Sequence, residues 1–114
     1  MRHDDDAYLL DMLLAARDTL DFASGLTYDQ FAASRLHQNA IRKSIEIIGK
    51  AAARISPERR QALPSIPWAL MNAMRNRLVH AYFEIDLKRV WDTVQQDIPQ
   101  LIELIAPLVP PDTE

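Results

Sequence analysis

The sequence predicts an all-α fold, and three observations lead to that prediction. Apolar residues recur at helical spacing through most of the chain. Only two glycines occur in 114 residues, and the β-branched residues fall within helical patterns, which disfavours sheet. Proline and glycine divide the chain into segments of helix length. We therefore expect an up-and-down bundle of four helices with one additional short helix.

The first predicted helix follows the three aspartates at 4–6, because carboxylates suit a helix N-terminus. It ends at Gly25, a residue that tolerates the left-handed conformation of a helix C-terminus. The apolar residues between these points recur at helical spacing and form one stripe. These residues are Leu9, Met12, Leu13, Ala16, Leu20 and Ala23.

A second, long helix is predicted after a cap at Thr27 or Asp29 and extends to about Ile55. Its apolar face is close to a heptad pattern, with small residues that allow close helix–helix approach. That face consists of Ile41, Ser44, Ile45, Ile48, Ala51, Ala52 and Ile55. Glu46 interrupts the apolar run 45–48, either as the buried partner of a cation from residues 75–82 or as part of the exposed face.

Three further segments follow. Ser56 and Pro57 predict the start of a short helix that ends near Ala62. The run PSIP at 64–67 then separates this helix from the next, which begins at about Trp68. Asp86 is a predicted cap for the last helix, which begins at about Leu87. Its apolar face comprises Trp91, Val94, Ile98, Leu101, Ile102 and Ile105. Pro99 is expected to kink or divide this helix, since it lacks a backbone donor.

Length and composition are those of one globular domain, predicted to span 1–114 with its core at about 6–106 and a frayed tail at 107–114. The chain lacks cysteine, which excludes disulfides and thiolate metal sites. The N-terminal residues do not have the layout of a signal peptide, and no apolar run approaches the roughly 18 residues of a membrane span. We expect a cytoplasmic protein without membrane contact.

Charge is unevenly distributed along the chain. Residues 1–34 carry a net charge of −5, residues 35–89 carry +7, and residues 90–114 carry −5, within an overall −3. The basic middle can form a surface that attracts anions even though the protein is acidic. It can equally be neutralised by the acidic helices once the bundle folds.

Residues 75–82 (RNRLVHAY) concentrate reactive side chains. Arg75 is charged at any working pH and can hold a phosphate through two parallel hydrogen bonds, while His80 can exchange a proton near neutrality. On a continuous helix these two side chains lie roughly 140° apart, whereas Asn76 and His80 share a face. A converging site therefore needs a distorted helix or a second subunit, and a symmetric dimer would bring two copies of the segment together.

Each of these residues also has an ordinary structural role open to it. Arginine on a helix is usually solvated, histidine near a helix end is usually a cap, and Tyr82 suits a half-buried packing position. Trp68 and Trp91 are predicted to be core residues. His37 is predicted to be exposed and without function, and His3 beside three aspartates favours capping over metal binding.

Three blocks of sequence resemble the HepT-like branch of the HEPN superfamily, the RNase toxins that are paired with minimal nucleotidyltransferase (MNT-type) antitoxins in type VII toxin–antitoxin systems. The first is SIEIIGKAA at 44–52, and the second is IPW at 66–68 leading into MRNRLVHAY at 74–82. The third combines Ile85-Asp86, Val90-Trp91 and DIPQL at 97–101. The similarity spans about 6–105; Lys50 departs from it, standing where the family's pattern leads us to expect an acidic residue.

The resemblance implies a homodimeric, metal-independent endoribonuclease without a cofactor, acting on RNA. Within it, His80 would be the general acid/base, Arg75 would position the scissile phosphate, and Asn76 would support either role. Tyr82 corresponds to the tyrosine to which the antitoxin attaches AMP, and that addition would block RNA by bulk and charge. The alternative is a non-catalytic subunit that binds nucleotide or substrate for a nucleotidyltransferase. Neither the RNA that is cleaved nor the roles of Glu46 and Lys50 follow from the sequence.

Overall fold

The computed structural model describes residues 3–72 and 86–109, and these residues form helices and no strands. The all-α prediction is therefore confirmed for them. The four-helix bundle, the homodimer and the single domain over 1–114 stay predictions. The α-helices are α1 (His3–Ala23), α2 (Tyr28–Ala32), α3 (Arg35–Arg54), α4 (Pro57–Ala62), α5 (Leu87–Asp92) and α6 (Ile98–Ile105). Residues 68–72 are also helical.

The apolar stripe predicted for α1 faces the core. Five of its six residues are buried, and Leu20 is partly buried against them. Gly25 follows the helix with a φ of +78°, which confirms its predicted role as the stop. The predicted start is wrong by one turn: α1 begins at His3, and the three aspartates lie inside its first turn, where they favour the positive end of the helix.

One long helix was predicted from Thr27 to Ile55, and the structure divides it into α2 and α3. Thr27 begins α2 with a capping box, in which its hydroxyl accepts from the Gln30 amide and the Gln30 side chain accepts from the Thr27 amide. Ser34 then caps α3 by accepting a hydrogen bond from the backbone of His37. Gln38 donates to the carbonyls of Phe31 and Ala32 at the end of α2, where the Phe31 carbonyl also accepts from the Ser34 amide.

Helices α1 and α3 form the main layer of the core. All seven residues predicted for the apolar face of α3 are buried, from Ile41 to Ile55. The carboxylate of Asp5, in the first turn of α1, accepts hydrogen bonds from Ser56, which follows α3. The start of α1 therefore meets the end of α3, and the two helices run antiparallel. Helix α6 also packs on α1, so α1, α3 and α6 share this core.

An aromatic cluster joins α2 to α5. Phe31 is fully buried, and its ring centroid lies 5.2 Å from that of Trp91. The Tyr28 ring meets Trp91 edge-on at 6.2 Å, and the Lys88 ammonium lies 5.4 Å from the Tyr28 centroid. The prediction that Trp91 is a core residue is confirmed, and the cluster fixes α5 against α2.

The last helix is interrupted in its hydrogen bonding just before Pro99. Residues Thr93–Asp97 form a π-helical turn between α5 and α6, in which the Ile98 amide bonds the Thr93 carbonyl. Pro99 lies in the first turn of α6, where its missing N–H and its ring are tolerated. Pro99 was predicted to kink or divide this helix. The structure shows an interruption just before Pro99, where the wider π-helical turn replaces an α-helical one.

No helix within residues 3–72 and 86–109 is both long enough and apolar enough to cross a bilayer.

Candidate functional site

The residues predicted to form the active site, Arg75, Asn76, His80 and Tyr82, lie outside the described residues. Their assignment accordingly stays a prediction. The structure does describe the chain on both sides of this segment, up to Asn72 and again from Asp86, together with the surface of α3 and α4 beside it.

The chain that leads into the segment is fixed to the core. Ile66 and Met71 are buried, and the indole N–H of Trp68 donates to the Leu63 carbonyl at 3.1 Å. Trp68 itself is only partly buried, so the prediction of a core residue holds for part of its surface. These contacts hold residues 66–72 in one position.

The chain that leaves the segment is fixed by a helix cap. Asp86 was predicted to cap the last helix, and its carboxylate accepts from the Arg89 amide at 3.2 Å. The same carboxylate pairs with the Arg89 guanidinium at 3.3 Å. Together with the aromatic cluster on α5, this cap confirms the predicted start of the last helix.

A pocket of about 300 Å³ opens between α3, α4 and residues 68–72. Its α3 wall is made of residues with little or no side chain, so that the helix backbone borders the space. The lining residues are Gly49, Ala52, Ala53, Arg60, Trp68, Ala69 and Asn72. The sequence predicted that small residues on α3 allow close helix packing; at this end of the helix they leave an open pocket.

Arg60 is the charged residue of this pocket, and sequence analysis did not single it out. Its Nε is buried and has no hydrogen-bond partner among the described residues. Its neighbour Arg59 differs, because its guanidinium pairs with Asp6 at 3.0 Å. The sequence did contain a signal: two adjacent arginines in the predicted short helix, a few residues before Trp68 and a few residues after the small residues of the long helix.

The exposed face of α3 is basic. Arg35, Lys43, Lys50 and Arg54 are exposed, and α3 carries one acidic residue, Glu46. One basic residue of the middle segment, Arg59, is neutralised by an acidic residue of another helix, Asp6 on α1. Lys43 and Lys50 instead pair with Glu46 within α3. Of these exposed cations, Lys50 and Arg54 adjoin the pocket residues Gly49 and Ala53 in sequence.

The sequence left Glu46 as either the buried partner of a cation from residues 75–82 or part of the exposed face; among the described residues, its partners are two lysines of α3 itself. Its side chain is 23% exposed and accepts an ion pair from Lys50 at 3.0 Å, with Lys43 at 3.9 Å. The Lys50 hydrogen bond lowers the pKa of Glu46 below its ordinary value of 4.5, and the charges of Lys43, Lys50 and Arg42 act in the same direction. Lys50, where the resemblance led us to expect an acidic residue, therefore serves as the partner of Glu46.

His37 was predicted to be exposed, and the structure corrects this. Its side chain is partly buried, and its Nδ1 lies 2.6 Å from the Ser34 hydroxyl. The contact belongs to the cap of α3, which is a structural role. No group of three or more His, Cys, Asp or Glu side chains in the described ranges is arranged to hold a metal ion.

Comparison with known proteins adds to this geometry. The family model described as "Ribonuclease HepT-like" matches residues 12–108. A Methanocaldococcus jannaschii protein named "Putative RNase MJ1380" is 34% identical over 88% of this chain and 92% of its own length. A Thermococcus cleftensis protein named "Probable ribonuclease HepT" is 35% identical over 89% of this chain and 92% of its own length. No solved structure matches.

Proposed function

The chain belongs to the HepT-like ribonuclease family, and from this we propose that it is an endoribonuclease that cleaves RNA without a metal ion and acts as the toxin of a toxin–antitoxin pair. The family match carries the proposal, because it covers 12–108 and so includes the whole segment 75–82. The relatives' names refer to ribonuclease function for those proteins, and we extend it to this chain.

In the proposed reaction, His80 takes the proton of a ribose 2′-hydroxyl as the 2′-oxygen attacks the adjacent phosphorus. The bond from phosphorus to the 5′-oxygen of the next nucleotide breaks, that oxygen takes a proton from water, and the His80 imidazolium returns its proton to the solvent. The products are a 2′,3′-cyclic phosphate and a 5′-hydroxyl. Arg75 holds the phosphate oxygens and stabilises the charge that develops on them, and Asn76 orients His80 or the phosphate.

A homodimer is part of the proposal because an undistorted helix would place Arg75 and His80 roughly 140° apart, too far to converge on one point. A symmetric pair of chains would bring two copies of residues 75–82 to one cleft. Arg75 of one chain and His80 of the other would then act on the same phosphate.

The control of this activity is proposed to act at Tyr82. An MNT-type nucleotidyltransferase antitoxin would transfer AMP from ATP to the tyrosine hydroxyl and release pyrophosphate. The attached phosphate is anionic and lies two residues from His80, so it would repel and obstruct RNA. One modification would therefore disable the proposed site.

The test is incubation of the purified protein with end-labelled single-stranded RNA in excess EDTA. We expect fragments with 2′,3′-cyclic phosphate ends, and no cleavage of DNA of the same sequence, which lacks the 2′-hydroxyl. Intact RNA under these conditions would refute the nuclease and favour the alternative, a non-catalytic subunit that binds nucleotide or substrate for a nucleotidyltransferase. Cleavage that EDTA abolishes would refute the metal-independent mechanism.

A further inference from the structure

The pocket beside α3 and α4 has the features of a nucleotide site. We propose that it binds one nucleotide of a single-stranded RNA substrate, with a phosphate on Arg60 and the base against Trp68. The inference rests on the ribonuclease function proposed above and adds a subsite that determines which RNA is bound.

Size is the first argument. The pocket measures about 300 Å³, at the small end of the roughly 300–1,000 Å³ of ligand sites. Its wall on α3 consists of Gly49, Ala52 and Ala53, so a flat group could approach the helix closely. A single nucleotide is a suitable occupant, whereas a helical peptide or a folded partner needs a longer groove.

Charge is the second argument. A guanidinium nitrogen that is buried without a partner is costly, since it has lost its water and gained nothing. Within the described part of the chain, the Nε of Arg60 is such a nitrogen, while Arg59 beside it pairs with Asp6. A phosphate oxygen in the pocket would supply the missing acceptor, through the type of pair for which arginine is best suited.

The aromatic wall is the third argument. Because the indole N–H of Trp68 is already bonded to the Leu63 carbonyl, this ring is fixed and offers the pocket its apolar surface. Stacking of a base on a fixed aromatic ring contributes about 1–3 kcal/mol. Asn72 lines the same pocket and carries both a donor and an acceptor for the edge of a base.

Position is the fourth argument. Asn72 precedes Arg75 by three residues, which at full extension span at most about 11 Å. The pocket is therefore close to the residue proposed to hold the scissile phosphate. Lys50 and Arg54 of α3 are exposed and adjoin the pocket residues Gly49 and Ala53 in sequence. An RNA strand could follow these cations, place one nucleotide in the pocket and present the next linkage to the proposed active site.

The experiment measures binding separately from cleavage. The full-length protein is titrated against fluorescent RNA in which every ribose is 2′-O-methylated, so that the proposed reaction cannot occur, and Kd is read by anisotropy. Arg60→Gln should raise Kd at least about tenfold, as expected for a lost charge-assisted hydrogen bond. It should also reduce the slope of log Kd against log salt by about 0.7, the value for one phosphate on a single strand. Arg17→Gln removes the same charge from the exposed face of α1 and is the matched control.

A second variant fills the pocket while leaving Arg60 and Trp68 unsubstituted. Ala69 is exposed on the pocket's rim, so Ala69→Leu should fold normally and still weaken RNA binding, whereas Ala7→Leu on the exposed face of α1 should not. With unmodified RNA, both pocket variants should raise KM and leave kcat unchanged. If circular dichroism shows that Arg60→Gln is unfolded, the RNA affinity of Ala69→Leu decides the question.

The outcomes separate this inference from the proposed function. Wild-type affinity in both pocket variants, or no binding of the methylated RNA by the wild type, overturns the subsite. If both variants weaken binding of 5′-AMP but not of RNA, the pocket serves a free nucleotide and the RNA assignment is wrong. Failure of the wild type to cleave unmodified RNA, with pocket-dependent binding intact, overturns the nuclease but leaves the subsite standing.

Discussion

The carboxylate of Asp5 accepts two hydrogen bonds from Ser56, one from its backbone nitrogen at 2.9 Å and one from its hydroxyl at 2.7 Å. The same hydroxyl accepts a hydrogen bond from the Arg59 amide at 3.2 Å and so caps α4. Asp5 is buried, and it links the first turn of α1 to the first turn of α4 across 51 residues. Because Arg60 lies on α4, this link also holds the charged wall of the pocket in place.

Asp5→Ala should destabilise the protein by about 1–3 kcal/mol, because it leaves the two partly buried Ser56 donors without their acceptor. Urea unfolding followed by circular dichroism measures the change. Asp4→Ala, at an exposed position in the same turn, should cost less than about 1 kcal/mol. Equal effects of the two substitutions would show that only the charge at the helix end matters.

Stability should also depend on the ionisation of Glu46. Its pKa is lower in the folded protein than its ordinary value, so its pairing stabilises the fold above about pH 4.5 and is lost as the pH falls through the folded pKa. The pair is partly exposed, which limits the effect to about 1 kcal/mol or less. Between pH 6 and pH 3, Glu46→Gln should lose less stability than the wild type, whereas Glu103→Gln, on the exposed side of α6, should behave like the wild type.

Loss of the proposed catalytic residues should abolish cleavage. His80→Ala is expected to reduce the single-turnover rate by about 10²–10⁴-fold through loss of proton transfer, and Arg75→Ala by a comparable factor. Arg77→Ala removes a charge two residues from Arg75 and is the control. Size-exclusion chromatography should show the same dimer for all three variants. Wild-type rates for His80→Ala and Arg75→Ala would refute the site.

A shared site predicts complementation between inactive chains. Arg75→Ala and His80→Ala subunits, unfolded together and refolded as a mixture, form some dimers in which one intact Arg75 faces one intact His80 across the axis. Such mixtures should recover a measurable part of the wild-type rate, while each variant refolded alone should stay inactive. Absence of any recovery, with mixed dimers verified by native mass spectrometry, would place both residues of each site on one chain.

Tyr82→Phe should remove the proposed control and preserve the toxic activity. Incubation with ATP and the cognate nucleotidyltransferase should increase the intact mass of the wild type by one or more AMP units and leave Tyr82→Phe unchanged. Tyr8→Phe, which alters a partly buried tyrosine on α1, should still be modified. Modification of the Tyr82→Phe variant would show that another residue is the acceptor.

The parts of the fold that were predicted correctly depend on periodicity and on strong local signals. The stripes of α1 and α3 follow the helical repeat, and Gly25, Ser56 and Asp86 act through their own backbone or side-chain chemistry. The break between α2 and α3 was missed because Ala32, Ala33 and Ser34 suit a continuous helix equally well. In the structure the Ser34 cap, the Gln38 side chain and the contact of Phe31 with Trp91 all accompany the interruption, and the last of these is a tertiary contact that the local sequence does not specify.

The pocket could not be predicted for a related reason. Gly49, Ala52 and Ala53 indicate that space is available on α3, but the sequence does not specify whether another helix fills it. The burial of the Arg60 Nε depends on the position of α4, which the contact between Asp5 and Ser56, distant in sequence, helps to hold.

Arg75, Asn76, His80 and Tyr82 were identified from their residue types and the family resemblance, and their geometry stays a prediction.

The π-helical turn at Thr93–Asp97 has a consequence for comparing this chain with its relatives. A π turn accommodates one residue more than the α-helical turn that it replaces. A relative that lacks this residue would lose the wide turn while keeping its equivalents of Leu101 and Ile105 in the core. Differences in length within this helix should therefore collect at 93–97, and sequence alignments should permit a one-residue gap there.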